Sequence, residues 1–408
     1  MRSCSVPHCG ISYKEYLSSH HARNDPVTAA PIALPALSNA PLLVWVLAPL
    51  VETDDPDIAW YSDYSQSKGE YERAFAALGV AWRWQPVTMR DYEDVVARIV
   101  RESSGHEPVV FNLCDGDEIN GSPGLSVIRC LRTHGLRFTG ADERFYDVTT
   151  SKIVMKEAFD RAGVPTSPWA VVPREGTGIT DIMKRLGAPL ILKPAVSAGS
   201  MGITTKSVVQ TPQALRAALK RLTQGYHGWD VAGGGVFVER FVDGPEYTTF
   251  IVGSSERRSS ATIYPPVERG FNPELPPTER FLSFDRLWGL YETEEPLEDD
   301  ADLWKYRPVS RALAKRIKEI SWAAYQAVGG RGYGRVDLRQ DAVTGEIHVL
   351  EVNAQCGISE DEAYTSIGAI LRFARATFAS AVGEIIATSA ETASRRARLA
   401  RTRRAATA

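Results

Sequence analysis

The sequence predicts an α/β protein with α+β subdomains, and two observations lead to this fold class. From about residue 41 to residue 140, apolar segments of strand length alternate with amphipathic segments of helix length, which is typical of a parallel sheet covered by helices. Near the C-terminus, the strand-like segments 334–339 and 347–353 flank turn-forming residues, which predicts an antiparallel hairpin. A chain of 408 residues is too long for one ordinary core, so we expect two or three subdomains.

The composition is that of a globular enzyme and excludes several other classes of protein. Hydrophobic residues make up 44% of the chain and charged residues 24%, which argues against a disordered or fibrous protein. The net charge of −3 gives no reason to expect nucleic acid as a partner. No apolar run reaches the roughly 18–20 residues that span a bilayer, so we expect no membrane partner.

The cysteines and the first forty residues carry little functional signal. Five cysteines, an odd number without a CxxC pair, argue against a disulfide framework and favour a reducing, cytoplasmic location. Residues 1–40 show no sustained period and are predicted to be a disordered or loosely attached extension. Some of its side chains are of types that bind zinc, although their spacing matches no standard site: Cys4, His8, Cys9, His20 and His21.

The elements of the first subdomain follow the alternation of apolar and amphipathic segments. Strand 42–48 opens it and is bounded by Pro41 and Pro49. The other elements predicted here are helix 69–78, strand 81–85, helix 92–102, strand 109–114, helix 124–134 and strand 137–139. Because helices separate the strands, we expect their sheet to be parallel.

The rest of the chain combines short strands with longer helices. An amphipathic helix over residues 151–162 is ended by Gly163 and Pro165. Further elements are predicted as strands 169–172, 190–193, 208–210 and 236–241 and helices 181–186, 212–223, 311–328 and 367–388. Residues 254–309 hold seven prolines and no clear period, so we expect a long loop there. The arginine-rich tail over residues 389–408 is predicted to be a solvated basic end.

The C-terminal hairpin is predicted to carry polar side chains on one face. Side chains alternate between faces along a strand, so Arg335, Asp337, Glu351 and Asn353 share a face if Asp337 pairs with Val349 or Glu351. The opposite face is apolar and could pack on a core: Val336, Leu338, Leu350 and Val352. Carboxylate and amide oxygens are the ligands that Mg²⁺ prefers, and the ion usually accompanies a nucleotide phosphate. A solvent-facing polar sheet is the alternative, but we interpret this face as a metal–nucleotide site.

Two segments have the character of phosphate-binding elements. Lys193 ends a predicted strand and is followed by small residues over 195–203, where backbone N–H groups can approach a phosphate without obstruction. The segment is not a Walker A motif, and a flexible loop is the alternative. Lys152 and Lys156 lie on one face of a predicted helix, although lysines at this spacing usually face water.

The segment from Glu239 to Glu246 is a candidate nucleoside pocket. A strand ends at Glu239 and turns before Glu246. A purine ring fits between apolar side chains such as Phe241 and Val242, while Glu246 could accept hydrogen bonds from ribose hydroxyls. A plain hairpin with solvated acids is the alternative.

The order of these motifs resembles the ATP-grasp superfamily, and within it most closely the D-alanine–D-alanine ligase family. The likeness covers about residues 41–385 and rests on Ser151-Lys152, the LKP segment with its glycine-rich loop, ERFVDGPE, and RVD followed by LEVN and CG. It implies an ATP-grasp fold with an N-terminal parallel-sheet (pre-ATP-grasp) domain over 41–145. The resemblance further implies a central subdomain over 146–243. It also implies a C-terminal subdomain over 244–388, which would contain the metal site and the long loop 254–309.

The resemblance also implies ATP and two Mg²⁺ ions, which Mn²⁺ could replace, and it assigns roles to individual residues. The cofactor-binding residues would be Lys152, Lys193, Gly199, Met201 and Gly202 near the phosphates, Glu239, Phe241 and Val242 at the adenine, and Glu246 at the ribose. The metal ligands would be Asp337, Glu351 and Asn353, and the catalytic residues Arg335, Gly357 and Ser200. Arg335 and the Gly357 N–H would stabilise the oxyanion of a tetrahedral intermediate.

The chain departs from the family on the substrate side. Gly199 stands where the family has a Ser that places the first D-alanine, and Ser200 keeps the next Ser. Asp115 replaces a His, and Glu362 and Ala363 replace the Ser and Leu that would receive the second D-alanine's carboxylate. A carboxylate would be repelled by this acidic rim, so we expect another acceptor. Lys305 and Tyr306 are a candidate pair for the loop that closes over ATP.

The sequence therefore favours an ATP-dependent carboxylate–amine ligase in specialised or natural-product peptide assembly. Its partners would be an amino acid or small peptide carboxylate and an amine acceptor, and dimers are common in the family. Two alternatives stay open. One is a cell-wall D-alanine–D-alanine ligase with a diverged acceptor site, and the other is a non-catalytic ATP-binding regulatory protein.

Overall fold

The computed structural model describes residue 34 and residues 40–389, except residues 227, 289–293, 296, 298–301 and 364. The described residues do not include the Cys and His residues within 1–40 that were considered as zinc ligands. They also do not include the basic tail beyond residue 389. Within the described residues, no helix is both long enough and apolar enough to cross a membrane.

The N-terminal sheet is parallel, as predicted. Its strands are β1 (Leu42–Pro49), β2 (Ala81–Val87), β3 (Glu107–Asn112) and β4 (Arg137–Phe138), in the order β2-β1-β3-β4. The helices between and after them are α1 (Pro56–Tyr61), α2 (Ser65–Leu78), α3 (Tyr92–Glu102), α4 (Leu125–Thr133) and α5 (Glu143–Thr150). β1 is buried along most of its length, because a central parallel strand is covered on both faces.

The central sheet has four strands, which pair antiparallel in the order β5-β8-β6-β7. They are β5 (Trp169–Val171), β6 (Leu190–Pro194), β7 (Val208–Val209) and β8 (Val236–Arg240). The helices of this part are α6 (Lys152–Ala162), α7 (Ile179–Leu186) and α8 (Pro212–Leu222). α7 and α8 pack against the sheet through one apolar core that includes Met183, Leu215 and Leu192.

The third sheet has six strands, in the order β12-β11-β9-β13-β14 with β10 paired to β9. They are β9 (Glu246–Val252), β10 (Thr262–Ile263), β11 (Val267–Phe271), β12 (Trp304–Pro308), β13 (Tyr333–Gln340) and β14 (Ile347–Ala354). The helices are α9 (Phe284–Trp288), α10 (Arg311–Ala327), α11 (Ser366–Ala374) and α12 over residues 378–389.

Two predictions about elements were wrong. Residues 254–309 are not one long loop, because they contain β10, β11, α9 and β12. β12 lies at the edge of the sheet and is mostly polar, so it lacks the apolar alternation by which strands are found. The single helix predicted over 367–388 is two helices, since Arg375 ends α11 in the left-handed conformation with φ of 55°.

Candidate active site

One cleft of roughly 410 Å³ opens between the three sheets and collects most of the predicted site residues. Those that line it are Asp115, Lys152, Lys193, Gly199, Ser200, Met201, Glu239, Phe241, Val242, Glu246, Arg335, Asp337, Glu351, Asn353 and Gly357. Gly202 and Glu362 are not among its lining residues. Groups from distant parts of the chain therefore meet in one place.

The polar face of the C-terminal hairpin lies in this cleft. β13 and β14 pair antiparallel with Arg335 opposite Asn353 and Asp337 opposite Glu351, which is one of the two registers predicted. The register then shifts, so that Leu338 faces Val349. The extra residue at this bulge is Leu350, which lines the cleft instead of the buried face. Its predicted place on the apolar face was therefore wrong.

Asp337 is held from three sides. Arg335 donates through Nε at 3.0 Å to Oδ1 and through Nη2 at 2.9 Å to Oδ2. Thr248 Oγ1 donates to Oδ1 at 2.7 Å, and Asn353 Nδ2 donates to Oδ2 at 2.9 Å. These bonds fix the carboxylate in one orientation towards the cleft and keep the guanidinium of Arg335 beside it.

The donor set of this face fits a divalent cation. Asn353 Nδ2 donates to Asp337 Oδ2 at 2.9 Å and to Glu351 Oε1 at 3.2 Å, so this amide bridges the two carboxylates and keeps their oxygens close together. Carboxylate and amide oxygens are hard ligands that suit Mg²⁺. Among the described residues, no group of three or more His, Cys, Asp or Glu could hold a metal. Water or phosphate oxygens would therefore have to complete the coordination of a cation at this face.

Lys152 lies beside the polar face of the C-terminal hairpin. Lys152 Nζ donates to the Ser197 carbonyl at 2.7 Å and lies 3.5 Å from Glu351 Oε2. Burial raises the pKa of Glu351, but the charges of Lys152 and Arg335 outweigh it and hold that pKa below its usual range. The acid is thus ionised at neutral pH, as a cation ligand must be.

Lys193 approaches the cleft from the end of β6 and forms an ion pair at 2.7 Å with the buried carboxylate of Glu239. The other oxygen of Glu239 lies 2.5 Å from Lys156 Nζ. Lys156 is fully buried, so the expectation that lysines at this spacing face water is wrong here. No feature of the local sequence distinguishes it, because its partner is 83 residues further along the chain.

The loop after β6 has a backbone shaped for close approach. Gly199 and Ser200 both have positive φ, 55° and 63°, and such turns direct successive N–H groups to one side. Trp288 Nε1 donates to the Gly199 carbonyl at 3.0 Å, which ties α9 to this loop. Gly202 instead faces Leu222, whose Cδ1 lies 2.9 Å from the position its Cβ would take, so Gly202 packs behind the loop and its cofactor contact stays a prediction.

The proposed nucleoside end of the cleft is apolar with a charged border. Phe241 is buried and meets the ring of Phe281 edge-on at 5.9 Å. Glu246 forms an ion pair with Arg269, and its Oε2 lies 3.9 Å from Arg339 Nη2. Arg269 was not predicted, because it falls within the segment interpreted as a loop.

The candidate loop pair at residues 305 and 306 is only half present in the cleft. Tyr306 lines it and accepts from Arg269 Nη2 at 3.0 Å. Lys305 is exposed and pairs with Asp302 at 2.9 Å. Neighbouring strand residues point to opposite faces of the sheet, so only one of the two can reach the cleft.

Gln355 directly follows β14 and connects it to the N-terminal sheet. Sequence reasoning did not identify this residue. Its Nε2 donates to the Cys114 carbonyl at 2.7 Å, and its Oε1 accepts from Ala141 N at 3.3 Å. This bridge holds Asp115 close to the loop that contains Gly357. The protein walls around Asp115 remove part of its hydration and raise its pKa to about 6. The side chain is nevertheless exposed to the cleft.

Two of the three acids predicted to form a rim at residues 360–362 are paired with arginines. Glu362 points away from the cleft and pairs with Arg372 at 2.8 Å, and Glu360 pairs with Arg73 at 2.6 Å. Glu362 therefore does not line the cleft and has a cationic partner, and its effect on a substrate carboxylate stays a prediction. Glu362 lies in the turn that precedes α11, and its carboxylate accepts from the arginine ten residues further on.

Unpaired hydroxyls line this end of the cleft instead. Thr365 Oγ1, Ser366 Oγ and the Tyr71 hydroxyl are buried and have no hydrogen-bond partner among the described residues, and all three side chains line the cleft. Ser366 is 2% exposed and Tyr71 1%. Buried polar atoms normally have partners, so a polar ligand group is expected to satisfy them.

Comparison with known proteins gives a family for this chain. The model described as the D-ala D-ala ligase C-terminus matches residues 158–370, slightly more than half of the chain. The "Uncharacterized protein y4sG" of Sinorhizobium fredii is 28% identical over 257 residues, which cover 63% of this chain and 68% of that protein. The D-alanine–D-alanine ligase of Geobacter sulfurreducens is 29% identical over 232 residues, which cover 56% of this chain and 62% of the ligase.

Solved structures give the fold. The D-alanine–D-alanine ligase from Bacillus anthracis in complex with ATP superposes with a TM-score of 0.60 at 17% identity, over 88% of this chain and 100% of that chain. The enzyme from Coxiella burnetii gives a TM-score of 0.60 at 16% identity, over 89% of this chain and 99% of that chain. The sequence matches span about three fifths of the curated ligases' length. The chain has the ATP-grasp fold and belongs to the family defined by the D-alanine–D-alanine ligase C-terminal domain.

Proposed function

We propose that the protein is an ATP-dependent ligase that joins a carboxylate to an amine. The observation that carries this proposal is the meeting, in one cleft, of the hairpin face with the two lysines, Lys152 and Lys193. Asp337 and Glu351 offer oxygens to a cation, and the lysines offer positive charge to phosphates. Arg335, which is 24% exposed, adds a guanidinium donor that a protein which only binds nucleotide has little need for.

The reaction we propose has two steps. A carboxylate oxygen of the first substrate attacks the γ-phosphorus of ATP, ADP leaves, and an acyl phosphate forms. The amine of the second substrate, after losing a proton, attacks the carbonyl carbon, and phosphate leaves with the original carboxylate oxygen. Asp337, Glu351 and Asn353 would hold a divalent cation, which would supply positive charge against the phosphates.

The side chains would divide the work as follows. Lys152 and Lys193 hold the phosphates under the loop that contains Gly199 and Ser200. Arg335 and the Gly357 N–H donate to the oxyanion that develops when the amine attacks, and such preorganised donors typically contribute about 10²–10³ in rate.

The adenosine would lie at the apolar end of the cleft. Phe241 and Val242 line that end, and we propose that the adenine stacks there with Glu239 at its border. Glu246 would still bind ribose, through the oxygen that is 3.9 Å from Arg339 and hence beyond hydrogen-bond distance. Arg269 would hold that carboxylate in place.

The identity of the substrates is the least constrained part of the proposal. Asp115 and the neighbouring Asp117 face the cleft, which favours an acceptor that enters as a positively charged ammonium group. We propose an amino acid or small peptide as carboxylate donor and an amine acceptor in specialised peptide assembly. Domain limits at 41–145, 146–243 and 244–388, a homodimer and a cytoplasmic location stay predictions.

A cell-wall D-alanine–D-alanine ligase is the second candidate, and one observation favours it. Glu362 is turned towards Arg372, so we expect it to repel an acceptor carboxylate less than the sequence suggested. The hydroxyls of Thr365 and Ser366 would then donate to that carboxylate. These residues lie three positions beyond the ones that the resemblance assigns to this role.

The test is ADP release with Mg²⁺-ATP across amino acids, short peptides and amines, singly and in pairs, with products identified by mass. Release that requires a pair, with a product lighter than their sum by one water, would support the ligase and name its substrates. Release with D-alanine alone would favour the second candidate. Tight ATP binding without release for any pair would point to a regulatory protein, and the Asp337→Ala variant is the control for contaminating ATPase.

A further inference from the structure

Lys156 is a charged side chain in a site that water does not reach. It is fully buried on α6, and its Nζ lies 2.5 Å from Glu239 Oε2 and donates to Thr166 Oγ1 at 2.7 Å. Thr166 in turn donates to the Val349 carbonyl at 2.9 Å. The ammonium group is therefore held between α6, β8 and β14. It does not line the cleft, and nothing in the proposed chemistry uses it.

Glu239 is the carboxylate that this lysine shares with the cleft. Its side chain is 2% exposed, and its Oε1 lies 2.7 Å from Lys193 Nζ. Lys193 is 15% exposed and lines the cleft. One acid thus lies between two lysines, of which one is enclosed by protein and the other reaches the proposed phosphate site.

The charges of these three groups do not cancel. One carboxylate and two ammonium groups leave a net charge of one positive unit, and the exposed member of the set is Lys193. Burial raises the pKa of Glu239, but the two lysines outweigh it and lower that pKa to about 2. Burial also lowers the pKa of Lys156, against the opposing effect of Glu239. The acid is ionised at any pH at which the protein would work.

We infer that Lys156 is a positioning residue for phosphate binding: it neutralises Glu239 so that the charge of Lys193 is available to an anion in the cleft. This inference rests on the proposed nucleotide site. Without Lys156, the buried carboxylate would have Lys193 as its remaining ammonium partner. Because charge–charge attraction is strong away from water, Glu239 would then compete with phosphate for that ammonium group.

The experiment compares the dissociation constants of ATP and adenosine, measured calorimetrically in the presence of Mg²⁺. Adenosine occupies the nucleoside end and lacks phosphates, so the ratio of the two constants isolates phosphate recognition. In Lys156→Met, ATP should bind at least about tenfold more weakly, which corresponds to about 1.4 kcal/mol, while adenosine should change less than about twofold. A general distortion of the site would instead weaken the binding of both ATP and adenosine.

Two further variants keep the inference testable. Lys156→Gln retains a donor towards Glu239 and loses the charge, so it should fold more readily and change the ratio in the same direction. The double variant Lys156→Met with Glu239→Gln removes the acid as well, and the preference for ATP over adenosine should return to within about threefold of its original value. Lys318→Met is the matched control, because Lys318 lies on α10 outside the cleft and donates to the Ile263 carbonyl on β10.

The outcomes separate this inference from the proposed function. If the unaltered protein binds ATP no better than adenosine, the nucleotide site itself is wrong, and both proposals fall. If it prefers ATP and the Lys156 variants keep the same ratio, the ligase proposal stands and the role of Lys156 is structural only. The inference would also be overturned if Lys156→Met lost its preference for ATP over adenosine and the added Glu239→Gln change did not restore that preference.

Discussion

At the scale of single residues, the pairing of Arg335 with Asp337 is the feature on which the proposed chemistry depends. Arg335 uses two nitrogens to hold Asp337, so its guanidinium is fixed beside the proposed cation ligands. A planar guanidinium can donate to this carboxylate and to a second oxyanion at once, and an ammonium group cannot reproduce that geometry.

Replacing Arg335 by Lys should therefore lower kcat by about 10²-fold or more, with the dissociation constant for ATP changed less than about threefold. Single-turnover kinetics and nucleotide titration would measure the two quantities. An unchanged kcat would remove Arg335 from the catalytic step. A loss confined to ATP binding would assign it to the nucleotide instead.

Asp115 gives a prediction about pH. Its pKa is raised to about 6 by the surrounding protein, above the value of about 3.9 in an unfolded chain, so the folded state binds the proton more tightly. The contribution of this group to the free energy of unfolding is then highest below pH 4 and falls between about pH 4 and 6. Asp115→Asn should be more stable than the unaltered protein at pH 7.

Urea unfolding at pH 4 and pH 7 would test this. The gain in Asp115→Asn should be smaller than the pKa shift alone implies, because the carboxylate faces the open cleft and solvent screens it. The gain should disappear near pH 4. A variant that is less stable at pH 7 would show that the carboxylate makes a favourable contact when ionised.

At the scale of elements, two helix beginnings that look alike in sequence behave differently. Thr211 precedes α8 and its hydroxyl accepts from Ala214 N at 3.2 Å, which is ordinary N-capping. Thr365 precedes α11 and makes no such bond, and its hydroxyl lines the cleft.

Replacing Thr211 by Val should lower the free energy of unfolding by about 1 kcal/mol. The same change at Thr365 should alter it by less than about 0.5 kcal/mol, because no cap is lost. Parallel urea titrations would compare the two. Equal losses would mean that Thr365 caps its helix in solution and is not available to a ligand.

Element prediction from sequence succeeded where the pattern was local and failed where partners were distant. β1 is apolar because both faces are covered, and the hairpin of β13 and β14 alternates between a polar and an apolar face. β11 and β12 escaped notice because they are polar and lie towards the sheet edge. Leu350 was predicted on the wrong face because a bulge breaks the alternation of β14. No residue type in this segment indicates a bulge.

The same distinction applies to the site. Asp337, Glu351 and Asn353 could be grouped from sequence, since two paired strands bring them together. Lys156 and Gln355 could not, because their roles depend on contacts with residues 83 and 241 positions away. The rotation of Glu362 towards Arg372 was equally invisible, since a side chain's direction is decided by its neighbours in space.

At the scale of the whole molecule, Gln355 is one of the residues that join the end of β14 to the N-terminal parallel-sheet part of the chain. It is 1% exposed, adopts a φ of 53°, and bonds to backbone groups of residues 114 and 141. Gly140 is required beside it, because a Cβ there would lie 2.5 Å from Gln355 Oε1.

Gln355→Ala should destabilise the protein by about 1–3 kcal/mol, because two buried backbone groups lose their partner. It should also raise KM for the acceptor more than for ATP, since the cleft wall that contains Asp115 would no longer be tied to β14. Thermal unfolding and steady-state kinetics would measure both. Equal changes in the two KM values would contradict a role specific to the acceptor side.

The measurement that tests the central claim most directly is oxygen transfer from the carboxylate substrate to phosphate. Once a productive substrate pair is known, the carboxylate donor would be labelled with ¹⁸O and the released phosphate analysed by mass spectrometry. Formation of an acyl phosphate predicts one labelled oxygen in each phosphate formed, with amide product in equal amount. Phosphate without label, released at the same rate, would contradict the account and show that ATP is hydrolysed without activating the carboxylate.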